Sequence, residues 1–391
     1  MEQERTAVCA TADGFASNSK PPVWSSNTAV LIYMALATVA LHAIVGNRYG
    51  FHSDELATLD DARHLAWGYP AYPPVTPFFG RISLILFGTS LIGFRFFASL
   101  AHALTVVLAG LMARELGGRR GAQLLAGAAA LPFCIGGGAL MQYVSFDYAA
   151  WVLTAYFVVR LLKSDDPRWW VAVGAGIGFG MLSKYTMAFF AVAIVAGLLL
   201  TGARRYLKSK WLWIGVAVAV LIFLPNLLWQ VQNHFVSLDF LKYIHARDVG
   251  NGKAGSFLPD QLGHSFVPLV LAGLWFYLFS RQGKRFRMLG WMYVVTLLLF
   301  VMAKGRSYYM FPAYPMLYAA GAVWGEDWLA MMQRRRRARV IWRIAWAVVA
   351  YGVIVTIAYF LPLAPVNSAW WEKASALQET YRGEIGWPEL A

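Results

Sequence analysis

The sequence predicts an all-α membrane protein that crosses the bilayer about eleven times. Hydrophobic residues make up 59% of its 391 residues and charged residues 14%, whereas about 25% of an ordinary soluble domain is charged. The chain also holds 17 Trp and 19 Tyr, amphipathic aromatic residues that are enriched at both membrane interfaces. These properties exclude an ordinary soluble domain and indicate many crossings.

Eleven apolar segments have, or nearly have, the length of about 17 to 25 residues that a spanning helix requires. They start near Thr28, Phe96, Gln123, Phe146, Trp169, Tyr185, Trp211, Phe266, Met288, Tyr308 and Ile341. An odd number of crossings puts the two termini on opposite sides of the membrane.

The distribution of basic residues predicts the orientation. One set of alternate loops holds 22 of the 34 Lys and Arg residues, including the run from Arg334 to Arg337, and the other set holds 12 over much longer loops. By the positive-inside rule, the first set is cytoplasmic. We therefore expect a multi-pass protein of the plasma (inner) membrane with a cytoplasmic N-terminus and an extracytoplasmic C-terminus. Loops that face anionic lipid explain the formal charge of +14 better than nucleic acid does.

Three regions are predicted: a flexible cytoplasmic tail (1–27), a transmembrane domain (28–362) and a short extracytoplasmic tail (363–391). The first tail lacks the apolar run and cleavage site of a signal peptide. Two outer loops, 46–95 and 231–265, are long enough to hold structure of their own.

The first outer loop has the pattern of interfacial helices. Leu56, Leu59 and Ala62 follow helical spacing, which predicts a helix along the outer membrane surface. A second apolar stretch, from Val75 to Leu91, is interrupted by proline, glycine and arginine, which favours a re-entrant or interfacial helix over a span.

Asp54 and Glu55 stand together just after the first span. A carboxylate near the bilayer surface is partly desolvated, which makes it a better general base. A structural interpretation is also open: Ser53 or Asp54 could cap a helix that starts at Glu55, which would contribute about 1 kcal/mol.

Four more ionisable residues, which lie at predicted outer ends of spans, are candidate site residues. For two of them a structural interpretation is also open: Asp147 could cap a helix end, and Lys184 could extend toward the interface as an ordinary anchoring base. Lys304 and Arg306 precede a helix N-terminus, where two cations and the helix dipole would suit a phosphate. The alternative for this pair is an aromatic belt flanked by basic residues.

Asn226 and Gln230, at the end of the seventh span, could hydrogen-bond a sugar or satisfy an exposed helix end. His52 and His64 lie near the acidic pair, but they lack a His-x-x-x-His spacing. No dedicated metal site is predicted.

Taken in chain order, these pieces resemble the family 39-like membrane glycosyltransferases, the superfamily of protein O-mannosyltransferases and aminoarabinose transferases with the GT-C fold. The resemblance extends from about Ala29 to Trp324. The residues that carry it are Asp54-Glu55, Ala62-Arg-His-Leu-Ala-Trp-Gly-Tyr, Pro73-Pro74, Asp147, Ser183-Lys-Tyr-Thr, Pro225-Asn-Leu-Leu-Trp-Gln, and Tyr308-Tyr with Pro312 to Pro315.

The resemblance implies a GT-C-type helical bundle and an inverting transfer of a sugar from a polyprenyl-phosphate carrier. The acceptor would be a hydroxyl or phosphate on the extracytoplasmic side, in lipid A or lipopolysaccharide, an envelope glycan or a protein. Asp54 matches the general base of the family, with Glu55 beside it in the catalytic pair. The departing phosphate would be bound by Lys184, Lys304 and Arg306. Substrate-positioning roles would go to Asp147, Arg63, Tyr308, Tyr309, Asn226 and Gln230.

Family members often have an acidic residue just before the Pro-Pro element, where this sequence reads Ala71-Tyr72. A divalent metal is therefore unsupported, and no cofactor is predicted. A polytopic transporter or lipid flippase is the alternative function. It would place charges near mid-bilayer, whereas the ionisable residues here cluster at predicted outer ends.

Overall fold

The computed structural model describes residues 26–380, with the side chains of residues 253, 254 and 377–380 left out. Most of the predicted N-terminal tail and the last eleven residues lie outside the described part. Sixteen α-helices and no β-strand occur in residues 26–380. The helices are α1 Asn27–Val45, α2 Ser53–Arg63, α3 Val75–Phe87, α4 Leu91–Glu115, α5 Arg120–Gly137, α6 Tyr143–Ser164, α7 Trp169–Met181, α8 Met187–Leu200, α9 Lys210–Gln232, α10 Val236–Gly250, α11 Lys253–His264, α12 Val267–Leu278, α13 Arg287–Met302, α14 Tyr314–Met331, α15 Arg335–Phe360 and α16 Ala369–Thr380.

A helix occurs at each of the eleven predicted spans. Among the described residues, six helices are long and apolar enough to cross a membrane, or eight if two sharply bent helix pairs each form one span. The bent pairs are α8 with the 3-10 helix Gly202–Lys208, and α11 with α12. The all-α membrane fold is therefore confirmed, while length and composition by themselves support fewer spans than eleven.

The helices that are not counted as possible spans are either short or buried among their neighbours. α7 has 13 residues, and α5 and α14 are enclosed by their neighbours: Ala129 in α5 and Ala319 in α14 are both fully buried. In contrast, Val349 is the one buried residue of α15, which packs against α5 at the edge of the bundle and leaves its other face exposed. Burial thus separates the centre of the bundle from its lipid-facing rim.

Glycine lets several helix backbones approach closely. A Cβ on Gly174 of α7 would lie 2.0 Å from the Gly215 carbonyl oxygen of α9. On Gly321 of α14 it would lie 2.1 Å from the Leu269 carbonyl oxygen of α12. Small residues at such crossings are typical of membrane helices, which associate by close packing rather than by a hydrophobic driving force.

The two outer loops are helical, as predicted for the first of them. α2 and α3 form the first loop, and α3, with 13 residues, is too short for a full span. The second loop contains α10 and α11. The backbone N–H of Val75, the first residue of α3, donates to the carbonyl of Leu182 (3.1 Å) in the turn between α7 and α8. The first outer loop is thereby attached to the main bundle.

Candidate functional site

Glu55 anchors the start of α2 inside the protein. Its side chain is fully buried and forms a two-point ion pair with Arg95 of α4, with N–O distances of 2.6 and 2.9 Å. The backbone N–H groups of His52 (3.0 Å) and Met141 (2.8 Å) also donate to this carboxylate. Each oxygen accepts two hydrogen bonds, so Glu55 has no exposed atom with which to contact a substrate. Glu55 therefore contacts only protein groups in this structure, whereas the resemblance implied a place for it in the catalytic pair.

Arg95 was placed by the sequence in the outer loop, just before a span expected to start near Phe96. The helix instead begins at Leu91, which puts Arg95 inside it. Besides Glu55, its guanidinium binds the carbonyls of Gly46 and Gly50, both at 2.8 Å. A mainly apolar cavity of about 50 Å³ lies beside it, but neither Asp54 nor Lys184 lines this cavity.

Asp54 lies in the first turn of α2, with 58% of its side chain exposed. The helix begins at Ser53, and His52, not Ser53 or Asp54, is the N-cap: its Nδ1 accepts the Asp54 N–H at 3.1 Å. The Asp54 side chain is therefore not used in capping. Its Oδ2 accepts a hydrogen bond from Gln142 Nε2 at 3.2 Å, which orients the carboxylate toward the start of α6.

Lys184 lies in the turn between α7 and α8 and is almost buried, with 9% of the residue exposed. Its ammonium lies over three tyrosine rings, 5.0 Å from Tyr143, 4.6 Å from Tyr308 and 4.1 Å from Tyr309. It also donates to the Tyr308 hydroxyl at 3.5 Å. Cation–π attraction holds an ammonium where water is scarce, so the rings offset part of the cost of burying this charge.

Asp147, in the first turns of α6, is also buried. Its Oδ1 accepts from the Trp151 indole N–H at 3.0 Å, and its Oδ2 accepts from the Thr186 hydroxyl at 3.2 Å. Thr186 is two residues from Lys184. The interactions of Asp147 therefore tie the turn that carries Lys184 to α6.

The first residues of α6 and those just before it bring the predicted site residues together. The Met141 N–H binds Glu55, the Gln142 amide binds Asp54, and the Tyr143 ring contacts Lys184. Gln142 and Tyr143 are adjacent in the chain, and they contact the expected base, Asp54, and the buried cation, Lys184, which are 130 positions apart in the sequence. Gln142 and Tyr143 were not predicted as site residues, and their only signal in the sequence is their place before Asp147.

A second unpredicted feature extends the site along α2. Tyr72 donates a hydrogen bond to Asp61 Oδ2 at 2.5 Å, and its ring lies 5.6 Å from that of Tyr143. Burial raises the pKa of the Asp61 carboxyl above its ordinary value, although the bond from Tyr72 opposes this shift. Tyr72 occupies the position before the Pro-Pro element where the family resemblance implies an acidic residue, and its hydrogen bond to Asp61 places a carboxylate next to that position.

The two remaining predicted phosphate ligands behave differently from Lys184. Arg306 forms an ion pair with Asp248 of α10 at 2.5 Å, and both side chains are largely buried. Lys304 is exposed, with a left-handed backbone conformation at φ 48°. Arg306 thus holds the second outer loop. Of the three predicted phosphate ligands, only Lys184 lies inside the tyrosine cluster, which consists of Tyr143, Tyr308 and Tyr309.

Asn226 and Gln230 of α9 bind protein groups of the first outer loop and its surroundings. Asn226 donates to the Trp67 carbonyl at 2.7 Å, and Gln230 donates to the hydroxyls of Tyr185 (2.6 Å) and Ser237 (2.7 Å). Their side chains are buried. These hydrogen bonds hold the first outer loop against α9 and α10. Arg63, also predicted to position substrate, is exposed at the end of α2.

No group of three or more His, Cys, Asp or Glu side chains within the described residues is arranged to hold a metal ion. The carboxylates at the site are engaged by amide, hydroxyl, indole and guanidinium donors. Both oxygen atoms of Glu55 and both of Asp147 accept hydrogen bonds from protein groups.

Comparison with solved structures identifies the fold. The structure matches ArnT from Cupriavidus metallidurans bound to undecaprenyl phosphate with a TM-score of 0.64 and 20% sequence identity, over 89% of this chain and 68% of that one. It also matches the archaeal oligosaccharyltransferase AglB from Archaeoglobus fulgidus with a TM-score of 0.55 and 14% identity, over 90% of this chain and 60% of that one. This is the GT-C fold.

Residues 71–229 match the family model described as dolichyl-phosphate-mannose-protein mannosyltransferase. This match covers 159 of the 391 residues, less than half of the chain, and over that region the chain is similar to this family of membrane glycosyltransferases. The matched region includes Tyr72, Gln142, Tyr143, Asp147 and Lys184, and therefore most of the site described above, but it begins after Asp54.

Two curated proteins are similar to this chain in sequence. An undecaprenyl phosphate-alpha-4-amino-4-deoxy-L-arabinose arabinosyl transferase of Pseudomonas fluorescens is 31% identical over 261 residues, which is 60% of this chain and 45% of the relative. A lipopolysaccharide core galacturonosyltransferase of Rhizobium johnstonii is 28% identical over 196 residues, which is 48% of this chain and 39% of the relative. The chain thus spans less than half the length of the curated relatives it matches.

Proposed function

We propose that this protein is a glycosyltransferase that moves a sugar from a polyprenyl-phosphate carrier to an acceptor outside the cytoplasm. Asp54 is the general base, and Lys184 binds the carrier phosphate. The observation that carries the proposal is that Gln142 and Tyr143, adjacent in the chain, contact Asp54 and Lys184 respectively. A partly exposed carboxylate and a buried cation thereby share one site.

Direct displacement at the anomeric carbon requires these two groups. The base removes the proton of the acceptor hydroxyl as the oxygen attacks the sugar, and a cation stabilises the negative charge on the departing phosphate. A single displacement inverts the anomeric centre and needs no second carboxylate as nucleophile. Asp54 has the exposure needed to meet an acceptor, since 58% of its side chain is accessible.

The surroundings of Lys184 suit a phosphate on a lipid carrier. The Tyr308 and Tyr309 rings keep the ammonium in a poorly hydrated position, where its attraction to an anion is stronger than in water. A tyrosine hydroxyl can also donate a hydrogen bond to a phosphate oxygen. Asp147 and Glu55 serve by holding the turn of Lys184 and the start of α2 in place.

The orientation follows from the charge distribution. The basic loops, including the run from Arg334 to Arg337, face the cytoplasm, so Asp54 and Lys184 lie at the outer surface. The N-terminus is cytoplasmic and the C-terminus extracytoplasmic. The acceptor is a lipid A or lipopolysaccharide part, an envelope glycan or a protein, in line with the substrates named for the relatives.

The test is mass spectrometry of lipid-linked sugars and envelope glycans from cells that lack the protein. The cells are complemented with the wild type, Asp54→Asn, or the matched control Asp60→Asn, which removes a carboxylate with 74% exposure from the same helix. We expect a polyprenyl phosphate-sugar to accumulate and one glycan modification to vanish. Wild type and Asp60→Asn should restore the modification, whereas Asp54→Asn should not. Restoration by Asp54→Asn would rule out the base assignment, and unchanged glycans in the deletion strain would rule out the transferase.

A further inference from the structure

Asp61 lies seven residues after Asp54 on the same helix, and residues at i and i+7 share a face. At a rise of about 1.5 Å per residue, their Cα atoms are about 10 Å apart along the helix axis. Two hydrogen bonds of about 2.8 Å each and one sugar ring between them would fill that distance. Tyr143 lies beside this interval. Its ring centroid is 5.6 Å from that of Tyr72, the partner of Asp61, and Tyr143 follows Gln142, the partner of Asp54.

The atoms at the Asp61 end are hydrogen-bond acceptors only. The Tyr72 hydroxyl uses its hydrogen on Asp61 Oδ2 at 2.5 Å. The Thr58 hydroxyl, 3.5 Å from that of Tyr72, donates its own hydrogen to the Asp54 carbonyl at 2.9 Å. Asp61 Oδ1 accepts no hydrogen bond from any of the described residues. A ligand that binds here must therefore supply the hydrogen-bond donors.

From this arrangement we infer that Asp61 and Tyr72 form a sugar-recognition subsite that accepts a sugar hydroxyl or ammonium group and rejects the carboxylate that a uronic acid carries in place of such a group. The inference rests on the proposed function and specifies its donor. A sugar carboxylate has only acceptor atoms and a negative charge, so it would meet both a missing hydrogen bond and like-charge repulsion. A sugar ammonium would gain a charge-assisted hydrogen bond.

Binding to the full-length protein in nanodiscs tests the inference without knowledge of the acceptor. The probes are undecaprenyl phosphate alone and undecaprenyl phosphate linked to a neutral hexose, an amino sugar or a uronic acid. We expect the wild type to bind the hexose-linked and amino sugar-linked lipids at least about 10-fold more tightly than the uronic acid-linked lipid, the effect of one hydrogen bond to a charged group. Asp61→Asn should reduce this ratio to near 1.

Asp60→Asn is the matched control, because it removes the same charge from the next residue, whose side chain is exposed and faces His64 at 3.4 Å. It should keep the wild-type ratio. Equal or tighter wild-type binding of the uronic acid-linked lipid, or an unchanged ratio in Asp61→Asn, would overturn the inference while leaving the proposed function intact. Failure of undecaprenyl phosphate itself to bind the wild type would overturn the proposed function and this inference with it.

Discussion

The Glu55 carboxylate and the Arg95 guanidinium form a buried ion pair with a shortest N–O distance of 2.6 Å, although forty positions separate the two residues in the chain. The pair joins the start of α2 to α4. Because Asp54 is the neighbour of Glu55, the position of the proposed base depends on this contact.

We predict that Arg95→Met will destabilise the protein strongly. It leaves the Glu55 carboxylate buried with no counter-charge, which costs about 3 to 5 kcal/mol when one partner of a buried pair is removed. The measurement is thermal unfolding in detergent, with the exposed Arg63→Met as the control. The double variant Glu55→Gln with Arg95→Met should recover part of the loss. An unfolding temperature of Arg95→Met equal to that of the control would contradict the prediction.

Lys184→Met should weaken the binding of undecaprenyl phosphate about 10-fold or more. The substitution keeps the length of the side chain and removes a charge whose hydrogen bond to a phosphate is worth about 1.5 to 3 kcal/mol. Affinity is measured in nanodiscs, after thermal unfolding has shown that the variant is folded. Lys304→Met, at an exposed cation outside the tyrosine cluster, should bind nearly as well as the wild type. A larger loss for Lys304→Met than for Lys184→Met would reverse the assignment.

Gln142→Ala should lower turnover about 10-fold with little change in donor affinity. Its amide donates to Asp54 at 3.2 Å, and a misplaced catalytic group costs rate rather than binding. We would measure the maximal rate of transfer and donor affinity separately, with Gln123→Ala on α5 as a control for loss of a buried glutamine. A fall in donor affinity with unchanged turnover would show that Gln142 serves the donor and not the base.

Arg306→Ala should loosen the second outer loop. The Arg306 and Asp248 side chains are 14% and 8% exposed, so removal of the arginine leaves a poorly hydrated charge on α10. Amide hydrogen exchange over residues 236–250 should become faster. Lys242→Ala breaks an exposed pair with Asp239, whose side chains are 77% and 74% exposed, and should leave exchange nearly unchanged. Equal exchange in both variants would refute the anchoring role of Arg306.

The stability of the protein should depend on pH through Asp61. Burial raises the pKa of its carboxyl in the folded state, so ionisation of Asp61 disfavours folding as the pH rises from the ordinary Asp value through the folded-state pKa. Asp61→Asn lacks this ionisation. Its unfolding temperature, relative to that of the wild type, should therefore increase from about pH 4 to pH 7. A relative decrease over the same range would contradict the raised pKa.

Hydropathy and charge predict much of the architecture. Helices occur at all eleven predicted spans, because the bilayer demands long apolar segments with satisfied backbone groups, and this demand is local in sequence. The helical pattern of Leu56, Leu59 and Ala62 likewise predicted α2. The predicted start of α4, near Phe96, was wrong: the helix begins at Leu91 and contains Arg95, whose charge is paired with the Glu55 carboxylate forty residues away.

Sequence patterns predict the membrane class, the helical elements and a set of ionisable residues near their outer ends. Which of these residues contact one another depends on how the helices pack. Lys184 and Asp54 share a site because Gln142 and Tyr143 lie between them. In contrast, Arg306 and Glu55 form ion pairs with Asp248 and Arg95. Hydropathy is a property of each segment, but the pairing of a buried charge depends on which helix packs beside it, and helix packing follows from contacts between residues distant in the chain.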